Sequence, residues 1–144
     1  MQHAKIDKNI EYLIKANYQR MMAYEHASFI SDNQMLIAFY AERADESEHN
    51  LKELYKCLEM TDAEAEELAA RIMNKSVTNF RSQIFNGRKN SMKILESANL
   101  LEKTILQWHK GVIAEIKLLS KDIVQLITRQ YHLLEEAKLN LAHL

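Results

Sequence analysis

The chain has 144 residues, a formal net charge of −1, and 47% hydrophobic against 27% charged residues. This composition fits one globular domain with its own core, and the near-neutral charge excludes a general attraction to nucleic acid or anionic lipid. The chain has no proline and two glycines, whereas average usage predicts about seven and about ten. Because proline interrupts helices and glycine marks turns, the sequence predicts a single all-α domain over residues 1–144.

The sequence also limits where the protein is expected to work. No apolar run approaches the roughly 20 residues that cross a bilayer, and the first residues lack the apolar core of a signal peptide. Cys57 is the single cysteine, which excludes a disulfide framework and a cysteine metal cluster. We therefore expect a cytoplasmic protein that contacts neither membrane nor nucleic acid.

Two long helices are predicted first, at about residues 5–29 and 33–59. The first has apolar residues at three- and four-residue steps, among them Ile10, Leu13 and Ile14. Ser31-Asp-Asn-Gln34 has the form of a capping box, which predicts the start of the second helix. That helix has a heptad-like stripe, whose members are Ile37, Tyr40, Ala44, Ser47, Leu51, Leu54 and Leu58.

Three further helices follow, at about residues 62–85, 90–118 and 121–143. A second capping box, Thr61-Asp-Ala-Glu64, predicts the start of the third, whose stripe continues to Phe80 and Ile84 and which is predicted to stop at Asn86-Gly87. The four longest helices form two pairs with short links, and residues 61–87 connect the pairs. This order predicts a ferritin-like antiparallel four-helix bundle with a long, partly helical crossover between the second and third bundle helices. An up-and-down bundle with an extra helix is the alternative.

Two segments have the spacing of metal-binding motifs. Glu46-Ser-Glu-His49 is a Glu-x-x-His sequence, and His132-x-x-x-Glu136 has a spacing found in hemerythrin-type diiron bundles. At about 100° per residue, His49 lies roughly 175° and Glu46 about 125° from the centre of their apolar stripe. By the same measure His132 lies about 160° and Glu136 about 120° from theirs. We therefore expect all four side chains to face solvent.

The inward positions that would hold a di-iron centre have mostly lost their ligands. Such bundles place an inward carboxylate on each of two helices and an inward Glu-x-x-His on each of the other two. The corresponding positions here are Asn17, Glu102, Ala44 with Ser47, and Gln130. We expect a degenerate site, with no cofactor and no catalytic residue. The alternative is an iron or manganese site formed by Glu102 and His109, or by Glu46 and His49.

Several polar residues nevertheless lie in or near the centres of the apolar stripes. They are Asn17, Tyr24, Tyr40, Glu102, His109 and Gln130. Arg20 and Arg43 flank their stripes and are within reach of Glu102. One interpretation is a hydrogen-bonded layer that fixes helix register, as a buried asparagine does in a coiled coil. The other is a small polar pocket for a ligand or a single metal ion.

Four segments resemble a family of uncharacterised bacterial ferritin-like proteins, carried as a domain of unknown function. They are Asn17-Tyr-Gln-Arg-Met-Met-Ala-Tyr24, Phe80 before Asn86-Gly87, Ala98-Asn-Leu-Leu-Glu102 and Arg129-Gln-Tyr131. The resemblance spans roughly residues 10–142 and implies a four-helix bundle with a crossover and no established activity. Members of the family tend to carry an acidic residue where this chain has Asn17.

The resulting prediction is a non-catalytic bundle that binds a protein partner or self-associates through helix faces. The alternative is a ferritin-like protein that binds iron or manganese, with a role in metal storage, oxidation or stress response.

Overall fold

The structure is a computed structural model, and it describes residues 8–76, 91–115 and 121–143, with the side chains of residues 72–76 and 91 not included. Within these ranges the chain is helical apart from short links, and it has no strand. The predicted all-α class is therefore confirmed. None of the described helices combines the length and the apolar character that a membrane span needs.

The described residues form five helices, which are numbered in chain order. They are α1 (Lys8–Ile30), α2 (Gln34–Cys57), α3 (Asp62–Ser76), α4 (Ser91–Glu115) and α5 (Lys121–Ala142). The ends that fall within the described ranges agree with the predicted ends to within two residues. Residues 5–7, 77–90 and 116–118 lie outside the described ranges, and with them the predicted stripe positions Phe80 and Ile84 and the predicted stop at Asn86-Gly87.

The start of α2 differs from the prediction. Asn33 has extended backbone angles (φ −96°, ψ 119°), and its Oδ1 atom accepts the N–H groups of Met35 at 3.0 Å and Leu36 at 3.2 Å. Asn33 is therefore the N-cap, and the predicted Ser31–Gln34 capping box is wrong. The Ser31 hydroxyl instead accepts the Asn33 N–H at 3.4 Å, which supports the turn before the helix. An asparagine directly before the first helical residue can reach two orphan N–H groups, which a serine two positions earlier cannot.

The link between α2 and α3 is fixed at both ends by local hydrogen bonds. Glu59 N–H donates to the carbonyl of Lys56 and Met60 N–H to that of Tyr55, both at 3.0 Å, which is a Schellman motif. Glu59 takes the left-handed position of this motif, with φ 56°, where glycine is usual. The predicted capping box at the start of α3 is confirmed, because Thr61 N–H donates to Glu64 at 2.8 Å and Glu64 N–H donates to the Thr61 hydroxyl at 3.1 Å.

Each long helix runs antiparallel to its neighbours. An early residue of α1, Asn17, bonds Asn50 late in α2, while Ser28 late in α1 bonds Ile37 early in α2. The rings of Tyr12 and Trp108 meet at 4.8 Å, so the start of α1 also lies against the later part of α4. The remaining contacts join α4 to α5 and α2 to α5, so that α1, α2, α5 and α4 form a closed ring of neighbours.

The two core clusters show where the end of α2 and the start of α4 lie. Leu54, near the end of α2, belongs to the core cluster that contains Ile10 at the start of α1. Ile94, at the start of α4, belongs to the other cluster, with Ala27 at the end of α1. The end of α2 and the start of α4 therefore lie at opposite ends of the molecule. Helix α3 buries Leu68 against α1.

We predict that Asn33→Ala lowers the free energy of unfolding by about 1 kcal/mol, because two N–H groups of α2 lose their cap. Ser31→Ala is the matched variant, and we expect it to have less than half this effect since its hydroxyl makes one longer bond. Urea unfolding followed by circular dichroism measures both. An equal or larger effect of Ser31→Ala would restore the capping box inferred from the sequence.

Candidate functional site

Arg20 lies at the centre of the polar interior. It follows Asn17 and precedes Tyr24 at three- and four-residue steps, which places all three on the buried face of α1. The side chain of Arg20 has no exposed surface. Its Nε and Nη2 atoms donate to the two carboxylate oxygens of Glu102 on α4, each at 2.7 Å. This is the bidentate geometry in which a guanidinium binds a carboxylate most strongly.

Helix α2 supplies the other partners of the Arg20 guanidinium. Nη1 donates to the Ser47 hydroxyl at 2.9 Å and to the carbonyl of Arg43 at 3.5 Å. The Glu46 Oε1 atom lies 2.8 Å from Nη2, but this oxygen has no hydrogen-bond donor among the described residues, so the contact is an ion pair without hydrogen-bond alignment. One arginine from α1 therefore holds α2 and α4 together. Both oxygens of Glu102 are engaged by one guanidinium, whose positive charge opposes the binding of a divalent cation at this carboxylate.

Burial and charge act in opposite directions on this cluster. Burial by itself would lower the pKa of Arg20, but the neighbouring carboxylates, chiefly Glu102, raise it above its ordinary value. The pKa of Tyr24 is raised, first by burial and then by the charge of Glu102, while the Arg20 guanidinium lies 5.3 Å from the tyrosine ring. Burial raises the pKa of Tyr40 to about 12. Both tyrosines are neutral at pH 7, and their rings stack at 5.7 Å.

An amide network connects α1, α2 and α5 next to the Arg20 cluster. Asn17 donates to the carbonyl of Leu13 at 3.0 Å and accepts from the side chain of Asn50 at 3.3 Å. Gln130 donates to the Asn50 carbonyl at 3.1 Å. All three amide side chains are fully buried. The Asn50 and Gln130 amide oxygens have no partner among the described residues, so the network consists of the bonds that their NH2 groups donate. A shift of one residue would break these bonds, and the network therefore restricts how the helices can slide past one another.

His109 on α4 is buried and neutral. Its Nδ1 atom lies 2.9 Å from the carbonyl of Ile105, and because a carbonyl only accepts, Nδ1 must carry the hydrogen. Burial, and then the positive charge of Arg20, lower the pKa of His109 to about 4, despite the opposing hydrogen bond to Ile105. At pH 7 the Nε2 atom therefore carries a lone pair, and it has no partner among the described residues.

The structure places all six polar residues singled out from the sequence in the interior, each at most 2% exposed. They are Asn17, Tyr24, Tyr40, Glu102, His109 and Gln130. Sequence reasoning missed Asn50, which lies about 60° from Ser47 on the side of α2 that faces α5. It identified Arg20 as being within reach of Glu102 but did not identify it as the centre of the cluster.

Arg43 was expected to be within reach of Glu102 and does not contact it. Its guanidinium lies over the ring of Phe39 at 4.8 Å and within 4 Å of Glu42 and Glu46. The side chain of Arg43 is 14% exposed and lies at the edge of α2 rather than beside Glu102. Arg20 therefore binds Glu102 without competition from Arg43.

The residues of the two metal-like motifs lie mainly at the surface, with one exception. His49 is 68% exposed and 3.6 Å from Glu53, while His132 is 66% exposed and 3.0 Å from Glu135. Glu136 is exposed as well. The expectation that Glu46 faces solvent is wrong, because its side chain is 20% exposed and reaches Arg20. Helical phase fixes the direction of the Cα–Cβ bond, and a flexible glutamate can bend back toward a buried cation.

No group of three or more histidine, cysteine, aspartate or glutamate side chains with metal-binding geometry occurs in the described part of the chain. Comparisons with family models, curated proteins and solved structures find no match to this chain.

We predict that Glu102→Gln lowers the free energy of unfolding by about 3–5 kcal/mol, because Arg20 stays buried without its main counter-charge. The double variant Arg20→Met/Glu102→Leu should be more stable than Arg20→Met alone or Glu102→Leu alone, since it removes both charges from the interior. Glu46→Gln should lose less than about 1 kcal/mol because that partner is partly exposed. A double-mutant cycle by urea unfolding measures the coupling, and additive effects would mean that the pair is not coupled in the folded protein.

The stability of the folded chain should depend on pH through His109. The pKa of His109 is about 4 in the folded chain, against an ordinary value of 6.5. Between these values the unfolded chain binds a proton that the folded chain excludes, so stability falls as pH decreases from about 6.5 to about 4, by about 3 kcal/mol in total. His109→Gln should remove this share of the pH dependence, whereas His132→Gln, at an exposed position, should keep it. Parallel stability curves for the native chain and His109→Gln would contradict the assignment.

Proposed function

We propose that this protein is a non-catalytic, ferritin-like helical bundle with a degenerate di-iron site, which works by binding a partner or self-associating through its helix faces. The arrangement of the long helices supports the fold. Neighbouring helices are antiparallel, α1–α2 and α4–α5 form two pairs, and the segment between the pairs joins opposite ends of the molecule. A bundle of two hairpins with one long crossover has this order.

The position of Arg20 carries the proposal that the site is degenerate. In metal-binding bundles, carboxylates and histidines from facing helices converge on the ions in the interior. Here the fully buried carboxylate of Glu102 and the nearby Glu46 converge on a guanidinium. A divalent cation placed about 4 Å from a guanidinium would be repelled by about 8 kcal/mol at an effective dielectric constant of about 20. The permanent charge of Arg20 thus fills the role that a metal ion fills elsewhere.

The exposed apolar side chains support a binding function. Among the described residues, Phe29 is 84% exposed, Met35 74%, Met92 64% and Leu139 63%. Single exposed apolar residues are common on soluble proteins, but Phe29, Met35 and Met92 all lie at one end, where α1 ends and α2 and α4 begin. Exposed apolar side chains at one end of the molecule are suited to contact with another protein.

One observation favours a metal-binding bundle as a second candidate. His109 donates from Nδ1 to a backbone carbonyl, and its Nε2 lone pair has no partner in the part of the chain that the structure describes, which is how a metal-ligating histidine is oriented. A metal there would need further ligands, and Glu102 is already bound to Arg20. The second candidate therefore requires the Arg20 cluster to rearrange.

Elemental analysis separates the two candidates. The protein is purified without chelator or affinity tag and measured before and after anaerobic addition of Fe(II), followed by dialysis. We expect only substoichiometric metal that dialyses away, because the interior already holds a cation. Retention of about one or two equivalents of iron or manganese, as in a metal-binding bundle, would overturn the proposal. In that case Glu102→Gln and His109→Ala should abolish the retention.

A further inference from the structure

A groove between α4 and α5 has features of a docking site for a helix. It encloses about 320 Å³ and is mostly apolar. Its walls are formed by Lys103, Leu106, Gln107, Glu135, Lys138 and Leu139. Each molecule in liquid water occupies about 30 Å³, roughly a tenth of the groove volume. The groove is therefore suited to side chains rather than to an ion or a single water. Leu139 is 63% exposed at its edge, and Leu106 is half-buried at its base.

The charges around the groove determine which helix it fits. Lys103 on α4 and Lys138 on α5 lie on opposite walls, and neither forms an ion pair within the part of the chain that the structure describes. The single acidic residue of the lining, Glu135, is already bound by His132 at 3.0 Å. The apolar lining between Lys103 and Lys138 is complementary to a helix whose apolar stripe is flanked by carboxylates.

A second copy of the chain fits this groove poorly. Two such grooves facing each other would each present two lysines against one glutamate, so like charges would meet. The acidic helix of the chain itself is α3, with Asp62, Glu66 and Glu67 exposed. Its apolar residues Leu68 and Ala69 are buried against α1 and are not available to a neighbouring groove.

We propose that the α4–α5 groove binds an acidic amphipathic helix of a partner protein, with leucine-like side chains entering between Leu106 and Leu139 and carboxylates pairing with Lys103 and Lys138. This inference rests on the proposed function, which it makes specific by naming the face and the chemistry of the partner. The groove lies on the outer side of the α4–α5 pair, so that docking would leave the Arg20 cluster unchanged.

Binding of a synthetic probe tests the groove directly. The probe is a fluorescein-labelled helical peptide with leucines at three- and four-residue steps and glutamates beside them, and the matched peptide carries lysines in place of the glutamates. We expect the glutamate peptide to bind about tenfold more tightly, as two rim ion pairs would give, and its affinity to fall as NaCl rises from about 50 to about 300 mM. Fluorescence anisotropy against the full chain measures both affinities.

Three variants connect the binding to the groove. Leu139→Asp, at an exposed position, should lower the affinity for the glutamate peptide by about tenfold or more, because a charge replaces an apolar contact. Lys103→Glu/Lys138→Glu should reverse the preference in favour of the lysine peptide. Lys52→Glu/Lys56→Glu carries the same change of charge on exposed positions of α2 and should leave the preference unchanged.

Equal binding of the two peptides, or binding that Leu139→Asp leaves unchanged, would overturn the proposed groove. A dimer seen by light scattering that Leu139→Asp dissociates would identify a second copy as the occupant and overturn the proposed partner chemistry, while leaving a binding function intact. Retained metal in the elemental analysis would contradict the proposed function without affecting the peptide measurements. Failure of the groove and failure of the proposed function are therefore distinguishable.

Discussion

The interior of this helical protein depends on an arginine guanidinium that is completely shielded from water. Removing an arginine from water is unfavourable by several kcal/mol, and the charge is tolerated only where carboxylates and hydrogen-bond acceptors replace its hydration. Arg20 obtains two oxygens from Glu102 on α4 and a hydroxyl from Ser47 on α2, together with the nearby charge of Glu46. The three helices must therefore lie at the distances and in the register that bring these groups together. The same requirement places a permanent positive charge in the interior between α1, α2 and α4.

Two tyrosines and a histidine near this cation are neutral at pH 7. Tyr24 and Tyr40 have raised pKa values and His109 has a lowered one, because in each case burial disfavours the charged form. Charge in the interior is thus confined to the arginine and its carboxylates, while amides and rings fill the positions next to them. Such an interior favours one arrangement of the helices over its alternatives, since a shifted register would leave both an ion and several amides unpaired.

The periodicity of apolar residues was enough to predict the helices, and the polar residues at the centres of the stripes were expected inside and lie inside. The errors concern two long charged side chains of α2. Arg43 was expected to be within reach of Glu102 but lies over Phe39, and Glu46 was expected to face solvent but reaches Arg20. Long side chains can reach well away from the direction of their Cα–Cβ bonds. Which partner such a side chain selects depends on the neighbouring helix, and the sequence of one helix does not contain that information. The N-cap at Asn33 was missed for a local reason, because serine and asparagine stand two residues apart and both can cap a helix.

The pair between Arg20 and Glu102 joins residues 82 positions apart in the chain. Contacts this distant in sequence form only after much of the chain has been ordered, since closing a long loop is opposed by its entropy. A dehydrated guanidinium is moreover unstable until its carboxylate is in place, so that early burial of Arg20 is disfavoured. Interactions that are absent from the transition state change mainly the rate of unfolding. We therefore expect the buried pair to determine how long a molecule stays folded, while the local contacts between α1 and α2 determine how quickly it folds.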